Sequence, residues 1–134
     1  MNGFLLDTNA IIATLRDKDS LIARTMMTCH FVEIYISSIV LFELYYGAFK
    51  STARKEDNIR SVDDLCFQIL DFNANDAKCA GEIRASLALS GNIIGPFDVL
   101  IAGQALSRDL TLITHNVKEF RRVSDLRIED WHVS

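Results

Sequence analysis

The chain predicts an α/β fold with a short, mostly parallel sheet. Three observations carry this. Short apolar segments of strand length alternate with segments of helical periodicity along the whole chain. Polar residues follow several of these strands directly, as in "FLLDTNAI" and "LITHN". The 134 residues are 49% hydrophobic, enough for one sizeable core, and carry no internal repeat and no Gly/Ser-rich or Pro-rich linker. Residues 1–134 are therefore read as a single domain.

Residues 3 to 7 are expected to form a buried strand, after which Asp7, Thr8 or Asn9 can cap a helix reaching about Arg16. "DKDS" (17–20) reads as a turn, and "LIARTMMTCHF" (21–31) has apolar residues at helical spacing. "EIYISS" (33–38) is rich in β-formers, and "IVLFELYYGAFK" (39–50) is a helix apolar on nearly every face except at Glu43. "STARKEDNIRSVDDLCFQI" (51–69) reads as a charged helix with one apolar stripe, and "LDF" (70–72) as a short strand. Asn73 or Asn75 opens a helix that Gly91 closes. "NIIG" is a loop, and Pro96 begins a helix over "PFDVLIAGQALSRD" at a position proline favours. "LTLIT" (110–114) is a strand, "NVKEF" a short helical turn, and "LRIEDW" (126–131) a final short strand.

Ligands of open parallel sheets bind at the carboxyl ends of the strands, where Asp7 is expected. Glu43 stands in an apolar helix, where a carboxylate is costly unless paired or bound to metal. Asp98 stands in the first turn after Pro96, where the helix dipole favours an acid. Each has an ordinary structural reading: Asp7 as an N-cap, Asp98 as a helix-start residue, Glu43 as a hydrogen-bonded buried acid. Asn116 reads equally as a turn or cap residue, and His115 as an exposed loop histidine. Together, three acids in apolar contexts on three elements can meet at one sheet edge. Converging carboxylates repel one another, and a divalent cation relieves that. Oxygen ligands without cysteine and with little histidine point to Mg²⁺ or Mn²⁺ rather than zinc.

"LLDTNAII", the glutamate in "SSIVLFELYYGA", "IGPFDVLIAGQAL" and "LITHNVKEF", in this order and spacing, resemble the PIN-domain family. More narrowly they resemble the VapC toxin ribonucleases of toxin–antitoxin pairs. The resemblance runs from Phe4 to about Trp131. It implies a three-layer α/β/α PIN fold and a metal-dependent endoribonuclease with Asp7, Glu43 and Asp98 as the acidic, metal-holding site. Asn116 falls where many PIN proteins carry a further aspartate, and the neutral residue weakens the case for a tightly held second metal. Thr8 lies beside the site by the same match, and Thr114 orients it through its hydroxyl. Glu82 is a candidate outer acid and Arg84 a candidate neighbour of the site. Products would carry a 5′-phosphate and a 3′-hydroxyl. Implied partners are a VapB-type antitoxin, a second copy of the chain in a two-fold dimer, and an RNA substrate. The leading substrate is transfer RNA, cut in the anticodon stem-loop, with initiator transfer RNA as the leading target.

Lys50, Arg54, Lys55, Arg60, Arg121 and Arg122 are candidate phosphate contacts, each also readable as solvated helix surface. Tyr45, Tyr46 and Phe49 read mainly as core, with an antitoxin groove as the alternative. The net charge of −4 argues against RNA held by bulk electrostatics alone. No apolar run approaches the roughly 18 residues of a membrane span. Asp7 interrupts any leader-like run, and three cysteines without CxxC spacing suit free thiols, so a cytoplasmic protein is expected. Two other readings compete. A phosphotransfer domain would want a DxD motif, which "DTN" lacks. A non-catalytic PIN-fold module binding RNA or protein would not need all three acids.

Overall fold

The computed structural model describes residues 3–29 and 33–133. Five strands form one sheet, β1 (Phe4–Leu6), β2 (Ile34–Ser37), β3 (Gln68–Leu70), β4 (Thr111–Ile113) and β5 (Ile128–Glu129), in the order β3-β2-β1-β4-β5. Every pairing is parallel, with Leu6 opposite Ile36 on one side and Ile113 on the other. Parallel strands buried on both faces need continuous apolar runs. Leu5, Leu6, Ile34, Ile36, Leu112 and Ile113 supply them and are essentially inaccessible. Helices cover both faces, giving the three-layer α/β/α arrangement expected.

The helices are α1 (Thr8–Arg16), α2 (Leu21–Thr28), α3 (Ser38–Lys50), α4 (Lys55–Asp63), α5 (Ala74–Ser90), α6 (Pro96–Ser107) and α7 (Val117–Phe120). Their ends follow local chemistry. Asp7 caps α1 and Ser20 caps α2. Asn73 opens α5 with a reciprocal capping box to Asp76, and Gly91 closes it at φ 74°, a left-handed conformation that costs glycine little. Pro96 occupies the first turn of α6. Inside α6, Gly103 lets α5 come close. A Cβ there would lie 2.6 Å from Ala80 Cβ and 2.7 Å from the Ala80 backbone.

Four expectations need correction. The helix expected over 51–69 is only α4, because Arg54 gives no side-chain cap and the chain leaves helix at Asp64. The strand expected at 70–72 lies at Gln68–Leu70, set by pairing of Ile69 with Ile36. The helix expected over 21–31 ends at Thr28 with Cys29 as its C-cap, and His30 and Phe31 lie outside the described residues. Finally, α3 is not buried on most faces, since Phe42, Tyr46 and Phe49 are 55%, 60% and 56% exposed. Tyr46 and Phe49 are therefore surface rather than core. Tyr45 is half-buried, packs against the core and donates to Asp63.

Candidate metal-dependent active site

β1 is central, with β2 on one side and β4 on the other. This is a point where strand order diverges, and the carboxyl end of β1 opens into the crevice where α/β sheets bind ligands. Asp7 stands there, with its N–H donating to Ile113 O at 3.1 Å. Its Oδ1 accepts from Ala10 N at 2.8 Å, so Asp7 is the α1 N-cap as well as an acid at the strand end. Burial raises its pKa, while hydrogen bonds from Thr114 and Ala10 and the His132 imidazole pull it down. Thr114 itself is fully buried, and its Oγ1 accepts from Asn116 N at 3.0 Å.

The next residue in α1, Thr8, donates from Oγ1 to Glu43 Oε1 at 2.7 Å. This bond ties the start of α1 to the middle of α3. Asp98 enters from the first turn of α6. Beside Glu43 and Asp98 in sequence, the half-exposed Phe42 and Phe97 rings meet with centroids 5.6 Å apart and hold α3 against α6. Asp98 has its carboxyl pushed up to about 6, first by burial and then by the charges of Glu119, Asp7 and Glu43. Three carboxylates thus act on a fourth. Among the described residues, no lysine or arginine pairs with Asp7, Glu43 or Asp98. Glycine at 95 gives Asp98 room, since a Cβ there would come 2.9 Å from Asp98 Oδ2.

Glu119 has no signature in the sequence as read above. Its Oε2 accepts from Asn116 Nδ2 at 2.6 Å and its Oε1 from Gly95 N at 2.9 Å. Those bonds hold its carboxyl below the usual range. Asn116 therefore fixes an acid beside the site. The i, i+3 spacing of Asn116 and Glu119 was the available signal. Arg16 also escaped notice. It lines a groove of about 600 Å³ with Glu43 and Arg54.

Other candidates lie elsewhere. Glu82 lines a cleft with Arg122, and Arg84 lines another with Phe97 and Pro96. Neither figures among the charges acting on Asp98. Arg54 and Arg60 both approach Asp57 at 3.8 Å, and Arg122 donates to Ile93 O at 3.1 Å. His115 is exposed as expected, but its Nδ1 lies 2.9 Å from Asp130.

Residues 4–126 match the PIN domain model. The tRNA(fMet)-specific endonuclease VapC of Salmonella typhimurium is 43% identical over 98% of this chain and 99% of its own. Ribonuclease VapC2 of Rickettsia felis is 40% identical over 96% and 97%. Among solved structures, DNA-bound VapBC from Salmonella typhimurium superposes with a TM-score of 0.91 at 42% identity, covering 98% of this chain and 99% of the other. VapBC-1 from nontypeable Haemophilus influenzae gives 0.87 at 35%, covering 99% and 100%. With matches of this extent laid over a parallel sheet that gathers acids at its carboxyl edge, the chain belongs to the PIN-domain family, among its VapC ribonucleases.

Proposed function

We propose that Asp7, Glu43 and Asp98 hold a divalent cation, Mg²⁺ or Mn²⁺, and that the chain hydrolyses RNA phosphodiester bonds there as a toxin endoribonuclease. The observation that carries this is the uncompensated charge around Asp98, whose carboxyl is pushed up to about 6 first by burial and then by three neighbouring carboxylates. Carboxylate oxygens are the ligands that hard cations take, so the donor set fits the ion. When bound, such a cation would supply Lewis acidity to a phosphate oxygen and lower the pKa of water.

The rest of the work falls to the chain. Thr8 holds Glu43 by its hydroxyl, and Ala10 N–H and Thr114 hold Asp7. Asn116 and Gly95 N–H orient Glu119, whose charge strengthens the demand for a cation. Water attacks phosphorus in line, the bond to the 3′-oxygen breaks, and that oxygen leaves as a hydroxyl. The 5′ fragment end keeps the phosphate. Arg16 and Arg54 line the groove that includes Glu43 and are the proposed contacts to the RNA phosphates. Glu82 and Arg84 have at most outer roles.

Transfer RNA is the proposed substrate, cut in the anticodon stem-loop, with initiator transfer RNA as the leading target. The identity to a tRNA(fMet)-specific endonuclease supports this. A VapB-type antitoxin is the proposed partner, because the solved relatives are VapBC complexes. The exposed Phe42, Tyr46 and Phe49 on α3 offer apolar surface for it beside Glu43. A two-fold dimer of this single domain, acting in the cytoplasm, completes the reading. No helix among the described residues is long and apolar enough to cross a membrane.

The test is incubation of antitoxin-free protein with total transfer RNA and Mg²⁺ or Mn²⁺. Discrete fragments that disappear with EDTA and in Asp7→Asn support the proposal. Intact transfer RNA and intact total RNA with folded protein would favour a non-catalytic RNA-binding module.

A further inference from the structure

The geometry points to a transition-metal site built by His115, Asp130 and His132, which shares no ligand with the carboxylates around Asp98, although Asp130 and His132 lie within electrostatic reach of Asp7. One nitrogen of each ring and one oxygen of the carboxylate lie within 4.8 Å of one another. His115 Nδ1 is 2.9 Å from Asp130 Oδ2 and His132 Nδ1 is 3.1 Å from Asp130 Oδ1. A tetrahedral ion with bonds of ~2.0–2.1 Å sets its ligand atoms about 3.3 Å apart, so the two ring nitrogens and a single Asp130 oxygen, which lie within 4.8 Å of one another, need only side-chain adjustment to draw in around it.

The frame is held before any ion arrives. His115 follows β4, while Asp130 and His132 follow the adjacent β5, and Thr114 N donates to Glu129 O at 3.0 Å between them. Trp131, between Asp130 and His132, is buried and packs edge-on against Phe4 with ring centroids 4.9 Å apart. His132 N donates to Asp130 Oδ1 at 2.9 Å, fixing that carboxylate. Without an ion, both imidazoles must carry their proton on Nδ1 to satisfy one carboxylate. With an ion, each neutral ring moves that proton to Nε2 and binds through Nδ1.

Two imidazoles and one carboxylate select Zn²⁺, Co²⁺ or Ni²⁺ over Mg²⁺. They leave a coordination position for water or a phosphate oxygen from the cleft of about 420 Å³ that Asn9, Arg16 and Asn116 line with the two histidines. The inference stands whether or not the acidic site is catalytic.

Co²⁺ is the probe, because imidazole coordination gives it visible absorption. Tag-free full-length protein is titrated with Co²⁺ in excess Mg²⁺. The expected result is one bound equivalent, retained in Asp7→Asn and Asp98→Asn. His115→Gln and His132→Gln should each weaken it by more than ~100-fold, beyond the ~10–100-fold cost of outer-shell changes. His115 is exposed, so its variant keeps the fold even if His132→Gln does not. No visible absorption, or a signal that survives His115→Gln, would overturn the assignment.

Discussion

Thr8 and Glu43 are 35 residues apart, yet one hydrogen bond of 2.7 Å joins them. It makes the position of the α3 carboxylate depend on the first residue of α1, the residue that follows Asp7. Thr8→Val removes the donor and keeps the shape. A hydrogen bond to a charged group contributes ~1.5–3 kcal/mol. If most of that serves positioning, RNA cleavage should fall about 10-fold to 100-fold with little change in thermal stability. Initial rates and a melting curve on the same preparation check this, and Thr8→Ser should recover much of the loss.

Asp98 predicts a pH dependence of stability in EDTA-treated protein. Its pKa is about 6 in the folded chain against an ordinary 3.8. Between those values the folded state binds the extra proton, so stability falls as pH rises through about 4 to 6. Above that window the repulsion is fully present. Asp7, raised chiefly by burial, acts with the same sign. Asp76 and Glu119, whose carboxyls are held low, act with the opposite sign near the bottom of this range, so the wild-type melting temperature should decline with pH relative to that of Asp98→Asn. Adding Mg²⁺ at pH 7 should restore stability to the wild type more than to the variant.

Removing Glu119 tests the electrostatic origin of that shift. Glu119 is the charge that most strongly raises Asp98. In Glu119→Gln, the Asp98 carboxyl should titrate lower, as read by carbon NMR of labelled aspartate without metal. Mg²⁺ affinity should weaken, because less negative charge remains to be neutralised.

Away from the site, Arg108 and Asp76 predict a purely structural effect. Asp76 is fully buried and accepts from Arg108 Nε at 3.2 Å and from Gln104 Nε2 at 3.2 Å. Burial pulls the Asp76 pKa up, but the Arg108 hydrogen bonds, the Asn73 N–H and Ser107 outweigh it and hold it low. Arg108→Ala leaves a buried charge without its partner and should cost about 3–5 kcal/mol in denaturant unfolding. Gly103→Ala should also destabilise, by ~1–3 kcal/mol, since its Cβ would press on Ala80 where α5 meets α6.

Much of this was legible along the chain because its causes are local. Apolar triplets mark β1 and β4, Asn73 and Gly91 bracket α5, and Pro96 opens α6. The three acids stood out because each sits in an apolar context or at a strand end. What escaped depends on pairing between distant segments. Glu119 is an ordinary acid in a polar turn until Asn116 and Gly95 N–H fix it beside Asp98. His115 met Asp130 and His132 only because β4 and β5 are neighbours. The length of α4 was overread because a charged run lacks a stop signal, and the apolar face of α3 could not say whether it met core or solvent.

The proposed hydrolysis at the carboxylates specifies the ends of the RNA fragments. Water attacking phosphorus leaves a 5′-phosphate and a 3′-hydroxyl. Attack by the RNA 2′-hydroxyl, as a pair of histidines could assist, leaves a 5′-hydroxyl and a 2′,3′-cyclic phosphate. Fragments from Mg²⁺ reactions are probed with a 5′-phosphate-dependent exonuclease and by mass spectrometry of their 3′ ends. The expected ends are 5′-phosphate and 3′-hydroxyl, formed only with the cation and lost in Asp7→Asn and Asp98→Asn. Cyclic phosphate ends that form equally well in EDTA would contradict hydrolysis at the carboxylates.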